Sequence, residues 1–270
     1  MGRKTSFYYS FLVLPADERR AIIAVWDLCR AIDDAVDEED DVTGPKGREA
    51  IPFWRSELTL AFNGGQPTTT QALRLQPHIA RFNLSRTPFD DLIDGVAMDL
   101  DTNRYETFPE LYEYCRRVAS AVGMVCIQIW GCHSEQAKQY ALNLGLALQL
   151  TNIIRDIPGD MALGRIYLPL EDLRQADCTV EELKQLRLTP SVQRVIKLEC
   201  ERAREFYAKA AECLPLADRP RLVAAEIMRA VYAETLSRIE RSHYDVFSGR
   251  ARVPRPRQAL IALGQWLWPH

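Results

Sequence analysis

The sequence predicts an all-α fold, a single domain over residues 1–270 in which a helical bundle encloses a central cavity. Three observations predict it. Apolar residues recur at helical spacing along nearly the whole chain, with no alternating strand pattern of useful length. Connections are short, and no low-complexity linker divides the chain. Two polar stripes, one in each half, lie on strongly apolar helices and need partners, because burying unsatisfied amides or carboxylates is costly.

Pro15-Ala16-Asp17 opens the first helix, with Asp17 as its cap. Ala21, Ile22, Val25, Leu28, Cys29 and Ile32 form its apolar face, and it runs to about Glu39. Thr43 to Gly47 reads as a loop. A helix from about Arg48 to Phe62 stops at Asn63-Gly64-Gly65. Thr69 to Phe82 and Pro88 to Asp101 are two more. The second is acidic, and most of Asp90, Asp91, Asp94, Asp99 and Asp101 are expected to face water. Phe108-Pro109 starts a helix that continues to Trp130. The next runs from about Ser134 to Ile157. Gly164 to Pro169 is an extended link. Thr179 to Leu186, Pro190 to Leu214 and Ala217 to Tyr244 complete the long helices. The tail, Ala259 to Trp268, is short and apolar.

The central stretch runs from Gln149 to Asp160. Gln149, Asn152 and Asp156 fall at i, i+3 and i+7, which stacks them on one helix face. Asp33 and Asp37, four apart, share a face of the first helix, and Asn152 and Asp156 repeat that offset. Two such helices facing each other close four oxygen-bearing side chains around one cavity. Hard oxygen donors without Cys or His suit Mg²⁺, with Mn²⁺ as the alternative ion, and Mg²⁺ is usually shared with substrate phosphates. The residues therefore point to a bundle that binds a phosphorylated ligand through Mg²⁺. An acidic run alone is ordinarily a solvated helix end, and Gln-x-x-Asn alone is ordinarily a helix–helix hydrogen bond. It is the pair of stripes on apolar helices that points to a site.

Composition narrows the class. Hydrophobic residues make up 47% and charged residues 26%, and the net charge is −3. No global basic field favours nucleic acid. Seven cysteines are scattered singly, as expected of reduced thiols in a cytoplasmic protein. No signal peptide is apparent, since Met1 to Tyr9 is basic and polar before any apolar run. Leu260, Ile261, Leu263, Trp266, Leu267 and Trp268 sit near Arg252, Arg255 and Arg257, which suggests peripheral contact with the inner membrane face.

The motifs resemble the squalene and phytoene synthase family, head-to-head prenyl synthases of the all-α isoprenoid synthase fold. The marks are Ser6-Phe7-Tyr8, Cys29-Arg30-x-x-Asp33-Asp34-x-x-Asp37, Tyr114-Cys115-x-x-Val118-Ala119, Gln149-x-x-Asn152-x-x-Arg155-Asp156-x-x-x-Asp160 and Gly164 to Pro169. The resemblance covers nearly the whole chain. Within the family, the start and the Val223 to Asp245 segment are most similar to bacterial presqualene diphosphate synthases of hopanoid biosynthesis.

The resemblance implies roles. Asp33, Asp37, Asn152, Asp156 and Asp160 would hold Mg²⁺. Ser6, Arg30, Arg155 and Arg165 would contact diphosphate, for which the planar guanidinium is suited. Gln149 and Tyr167 would add substrate contacts, and Tyr114 and Tyr232 would flank the reacting carbons. The implied reaction joins two farnesyl diphosphates into presqualene diphosphate. The alternatives are phytoene synthesis from geranylgeranyl diphosphate, a full squalene synthase, or an inactive relative acting as an assembly factor. No nicotinamide cofactor is expected, and downstream enzymes are candidate partners. The chain departs from the family pattern at Pro158, where the helix is expected to end or kink and leave Asp160 on a turn. Trp26 also stands where relatives often have Tyr.

Overall fold

The computed structural model describes residues 8–37 and 44–267. In chain order the helices are α1 (Tyr8–Leu12), α2 (Ala16–Val36), α3 (Ala50–Phe62), α4 (Thr70–Phe82), α5 (Thr87–Met98), α6 (Phe108–Cys115), α7 (Ala121–Ile129) and α8 (Glu135–Ala162). Then follow α9 (Leu170–Gln175), α10 (Val180–Leu183), α11 (Pro190–Glu212), α12 (Val223–Arg241) and α13 (Arg255–Leu267). Among the described residues there is no β-strand, only a bridge between Arg104 and Ile166. The all-α expectation is met.

The architecture is organised around α8, a helix of 28 residues and so about 42 Å long. Its apolar side chains face several neighbours, and it packs against α6, α7, α11 and α12. A π-helical turn, Arg116–Ser120, joins α6 to α7 inside the predicted Phe108–Trp130 helix. Small residues let it sit close to its neighbours. A Cβ on Gly145 would lie 2.6 Å from Ser120 Cα, and one on Gly95 would lie 2.7 Å from Arg117 Cβ. Ser120 Oγ donates to the Leu142 carbonyl at 2.9 Å. The wide turn is thus wedged between α5 and α8, an arrangement that periodicity alone does not reveal.

Several boundaries shift. Asp17 lies in the first turn of α2, not at the cap, and bridges Arg20 and Arg81; the N-cap is Pro15. The Thr179–Leu186 helix shrinks to α10, and Leu186 takes a left-handed φ of 50°. The helix expected from Ala217 begins instead at Val223, after turns over residues 216–221.

The main correction concerns Pro158. Helix α8 does not stop there but continues to Ala162, so Asp160 lies on the helix one turn beyond Asp156. Proline removes one N–H and crowds the carbonyl four residues back. Here the lost bond falls in the last turns of a helix already held by α11, and the end is closed by Leu163 N–H to Asp160 O (3.1 Å) and Arg165 N–H to Asp160 O (2.9 Å).

Residues 164–171 return as a strap beside residues 103–106. Ile166 N–H donates to Asn103 O (2.8 Å), Leu170 N–H to Tyr105 O (2.9 Å), and Phe108 N–H to Glu171 Oε1 (2.6 Å). Beyond it, Arg202 Nη1 lies 2.6 Å from both Asp172 Oδ2 and Glu199 Oε1, tying α9 to α11. The strap is thereby fixed at both ends with Arg165 and Tyr167 on it.

Candidate active site

A cavity of about 400 Å³ opens between α2 and α8, with α7 and α12 as further walls. At one end it is polar, lined by Arg30, Asp33, Gln149, Asn152 and Arg155. The rest is largely apolar and ends at Ile22, Trp130 and Tyr140. The two polar stripes therefore face one space.

The acidic groups lie around Arg165. Arg165 Nη2 donates to Asp37 Oδ1 at 2.5 Å, and burial raises Asp33, Asp99 and Asp160 against a smaller downward pull from its charge. It does not neutralise them. Burial, then repulsion by Asp37, Asp99 and Asp34, pushes Asp33 up to about 7. Its carboxyl is reachable from the cavity yet ringed by protein elsewhere. Burial, then repulsion by Asp156, likewise pushes Asp160 up to about 7. At Asp156 burial also acts upward, but hydrogen bonds from Arg155 and Arg250 outweigh it and hold the carboxyl below its ordinary value. Arg155 Nε donates to Asp156 Oδ1 (2.9 Å) and Arg250 Nη2 to Oδ2 (2.7 Å).

Asn152 Nδ2 donates weakly to Gln149 Oε1 at 3.3 Å, while the buried Asn152 Oδ1 has no hydrogen-bond partner. A buried acceptor without a donor is uncommon and calls for an explanation. The raised carboxyls of Asp33 and Asp160, with Asp37, Asp156 and the bare amide oxygen of Asn152, form an all-oxygen donor set, which fits Mg²⁺ or Mn²⁺. Among the described residues no three acidic, His or Cys side chains converge as a ready-made metal cluster. Asp37 and Asp156 are instead held by arginines.

Tyr114 and Tyr232 both line the cavity. Tyr114 donates to Asp99 Oδ2 (3.0 Å) and Tyr167 to Asp99 Oδ1 (2.8 Å), and the two rings stack at 5.1 Å. Burial raises the pKa of all three phenols. Burial raises Asp99 as well, against the pull of the two hydroxyls. This corrects the expectation that the acids of α5 mostly face water. Asp99, just past the C-terminus of α5, turns into the site, while Asp90, Asp91 and Asp94 sit half-buried in arginine pairs.

The structure thus brings Arg30, Asp33, Tyr114, Gln149, Asn152, Arg155 and Tyr232 to one cavity, with Asp37, Asp156, Asp160, Arg165 and Tyr167 linked to its polar end. Ser6 lies outside the described residues. Sequence reasoning missed Asp99 and Arg250. Asp99 was one acid among five, and Arg250 lies in a loop with no periodicity to read.

The family model described as squalene/phytoene synthase matches residues 2–257. The chain belongs to the squalene/phytoene synthase family. Curated relatives include a phytoene synthase of Arthrospira platensis, 34% identical over 92% of this chain and 84% of that one. A 15-cis-phytoene synthase of Synechococcus elongatus is 34% identical over 94% and 85%. Among solved structures, a dehydrosqualene synthase matches with a TM-score of 0.85 at 27% identity, covering 97% of this chain and 90% of that one. The squalene synthase HpnC of Alicyclobacillus acidocaldarius matches at 0.79 with 32% identity over 88% and 89%. A squalene/phytoene synthase is thus an enzyme of prenyl transfer on the helical fold described above, and prenyl diphosphates are the family's substrates.

Proposed function

We propose that this chain joins two prenyl diphosphates head to head in a Mg²⁺-dependent reaction that releases diphosphate. The observation that carries this is the cavity itself: two acidic, arginine-flanked stripes at the mouth of a long apolar channel. Asp33, Asp37, Asn152, Asp156 and Asp160 would hold the metal. Bound Mg²⁺ would neutralise diphosphate and make it a better leaving group. Arg30, Arg155 and Arg165 bind diphosphate oxygens, and Arg250 joins them.

The donor's carbon–oxygen bond breaks and diphosphate keeps the electron pair. The apolar walls exclude water from the allylic cation, and the faces of Tyr114 and Tyr232 stabilise it without reacting. The alkene of the second substrate supplies the electrons of the new carbon–carbon bond, and loss of a proton closes a cyclopropane. Because burial keeps both phenols protonated, the released diphosphate is the better proton acceptor.

With farnesyl diphosphate as substrate the product would be presqualene diphosphate, the reading that the motifs and the Val223 to Asp245 segment support. The second reading, phytoene synthesis from geranylgeranyl diphosphate, is supported by the curated relatives at 34% identity, which favour it over the first. An equimolar mixture of the two substrates, resolved by product mass, decides. Exclusive coupling of the longer substrate would overturn the farnesyl reading.

A further inference from the structure

Helix α13 is amphipathic the wrong way round. At 3.6 residues per turn, Gln258, Ile261, Ala262 and Gln265 share the inward face. Gln258 and Ala262 are buried, and Ile261 packs on the core. The opposite face carries Leu260, Leu263, Trp266 and Leu267, exposed by 61, 50, 57 and 48%. A surface helix ordinarily presents polar residues there. Leu12, 49% exposed, lies on α1, which packs against α13. The other exposed large apolar residues (Leu73, Leu163, Leu186 and Leu216) are scattered singly, and such residues need no explanation.

Charge identifies the partner. Arg252, Arg255 and Arg257 are exposed around the start of α13, and no acidic residue occurs from Gly249 to Leu267. A second copy meeting this face across a two-fold axis would set the same arginine-bearing helix against itself, with no acid on it to offset the repulsion. One helix face also falls short of the roughly 800 Å² per partner of a stable interface. An anionic lipid surface takes both halves of the pattern, since leucines and tryptophan enter the acyl boundary while arginines meet headgroup phosphates.

We propose that α13 docks the protein on an anionic bilayer through Leu260, Leu263, Trp266 and Leu267, with Arg252, Arg255 and Arg257 at headgroup level. Docking is peripheral, because no helix among the described residues is long and apolar enough to cross a membrane. Helix α13 packs its buried face on α1 and α12, whose Phe11, Met228 and Tyr232 line the cavity, so the docked helix adjoins two elements that wall it. Docking does not depend on the reaction proposed above, and no substrate is needed to observe it.

The test is flotation of the full chain with vesicles of phosphatidylglycerol or of phosphatidylcholine alone, at low and high salt. The protein floats with the anionic vesicles, and its partition coefficient falls at least about tenfold in the Leu260→Ser, Leu263→Ser double variant, from lost apolar burial. Leu73→Ser, at an exposed leucine on α4, leaves flotation unchanged. Brominated lipids quench wild-type tryptophan fluorescence more than they quench Trp266→Phe. Circular dichroism confirms that the variants fold, as expected for exposed positions. Wild-type protein that stays unbound at low salt would overturn the proposal. So would equal binding of the double variant, or a wild-type dimer that the double variant dissociates in the absence of vesicle binding.

Discussion

Asp33 and Asp160 are the acids of the site whose carboxyls the fold raises furthest, both to about 7, by burial and neighbouring carboxylates. A carboxyl whose folded pKa lies above its unfolded value of about 4 favours the folded state most below about pH 4, and that contribution is lost as pH rises through about 7. The thermal midpoint of metal-free protein should therefore fall between pH 5 and 8. Asp33→Asn should flatten that slope in calorimetry, and a slope unchanged by the substitution would contradict the assignment. Asp33→Asn and Asp156→Asn should each lower turnover by at least about 10²-fold, the scale of losing one electrostatic stabiliser. Both should keep native far-ultraviolet dichroism. The paired spacing of Asp33 with Asp37 and of Asn152 with Asp156 made these residues legible in the sequence. Asp99 was not legible, because only the geometry at the end of α5 separates it from four neighbouring acids that bind arginines.

Long helices were readable because an apolar face at helical spacing leaves few alternatives, as with Ile22, Val25, Leu28 and Ile32 on α2. Their interruptions were not. The π turn at Arg116–Ser120 depends on the close approach of Gly145, and the passage of α8 through Pro158 depends on packing against α11. Both are tertiary effects that override local preference. Gly145→Val should force Ser120 away and destabilise the fold by about 1–3 kcal/mol, the range for overpacking a core. For a chain of this size that is a drop in melting temperature of roughly 2–4 °C per kcal/mol. An unchanged melting temperature would show that α6 to α8 pack more loosely than described.

For the molecule as a whole, the fold brings to one cavity two stripes that lie in different halves of the sequence. Each stripe alone reads as ordinary surface or core chemistry. Together they supply oxygen donors and guanidinium groups at one end of an apolar channel, the arrangement on which the proposed coupling rests. The sequence carried the motifs, while the apolar channel and the arginine pairs on Asp37 and Asp156 came from the structure. The most direct test incubates the purified chain with farnesyl diphosphate, and separately with geranylgeranyl diphosphate, in the presence of Mg²⁺ and then of excess EDTA, and identifies the products by mass and by carbon connectivity. The expected result is a product joining two prenyl chains through their first carbons, formed with release of inorganic diphosphate and abolished by EDTA. Hydrolysis alone, or coupling that persists in EDTA, would contradict the account.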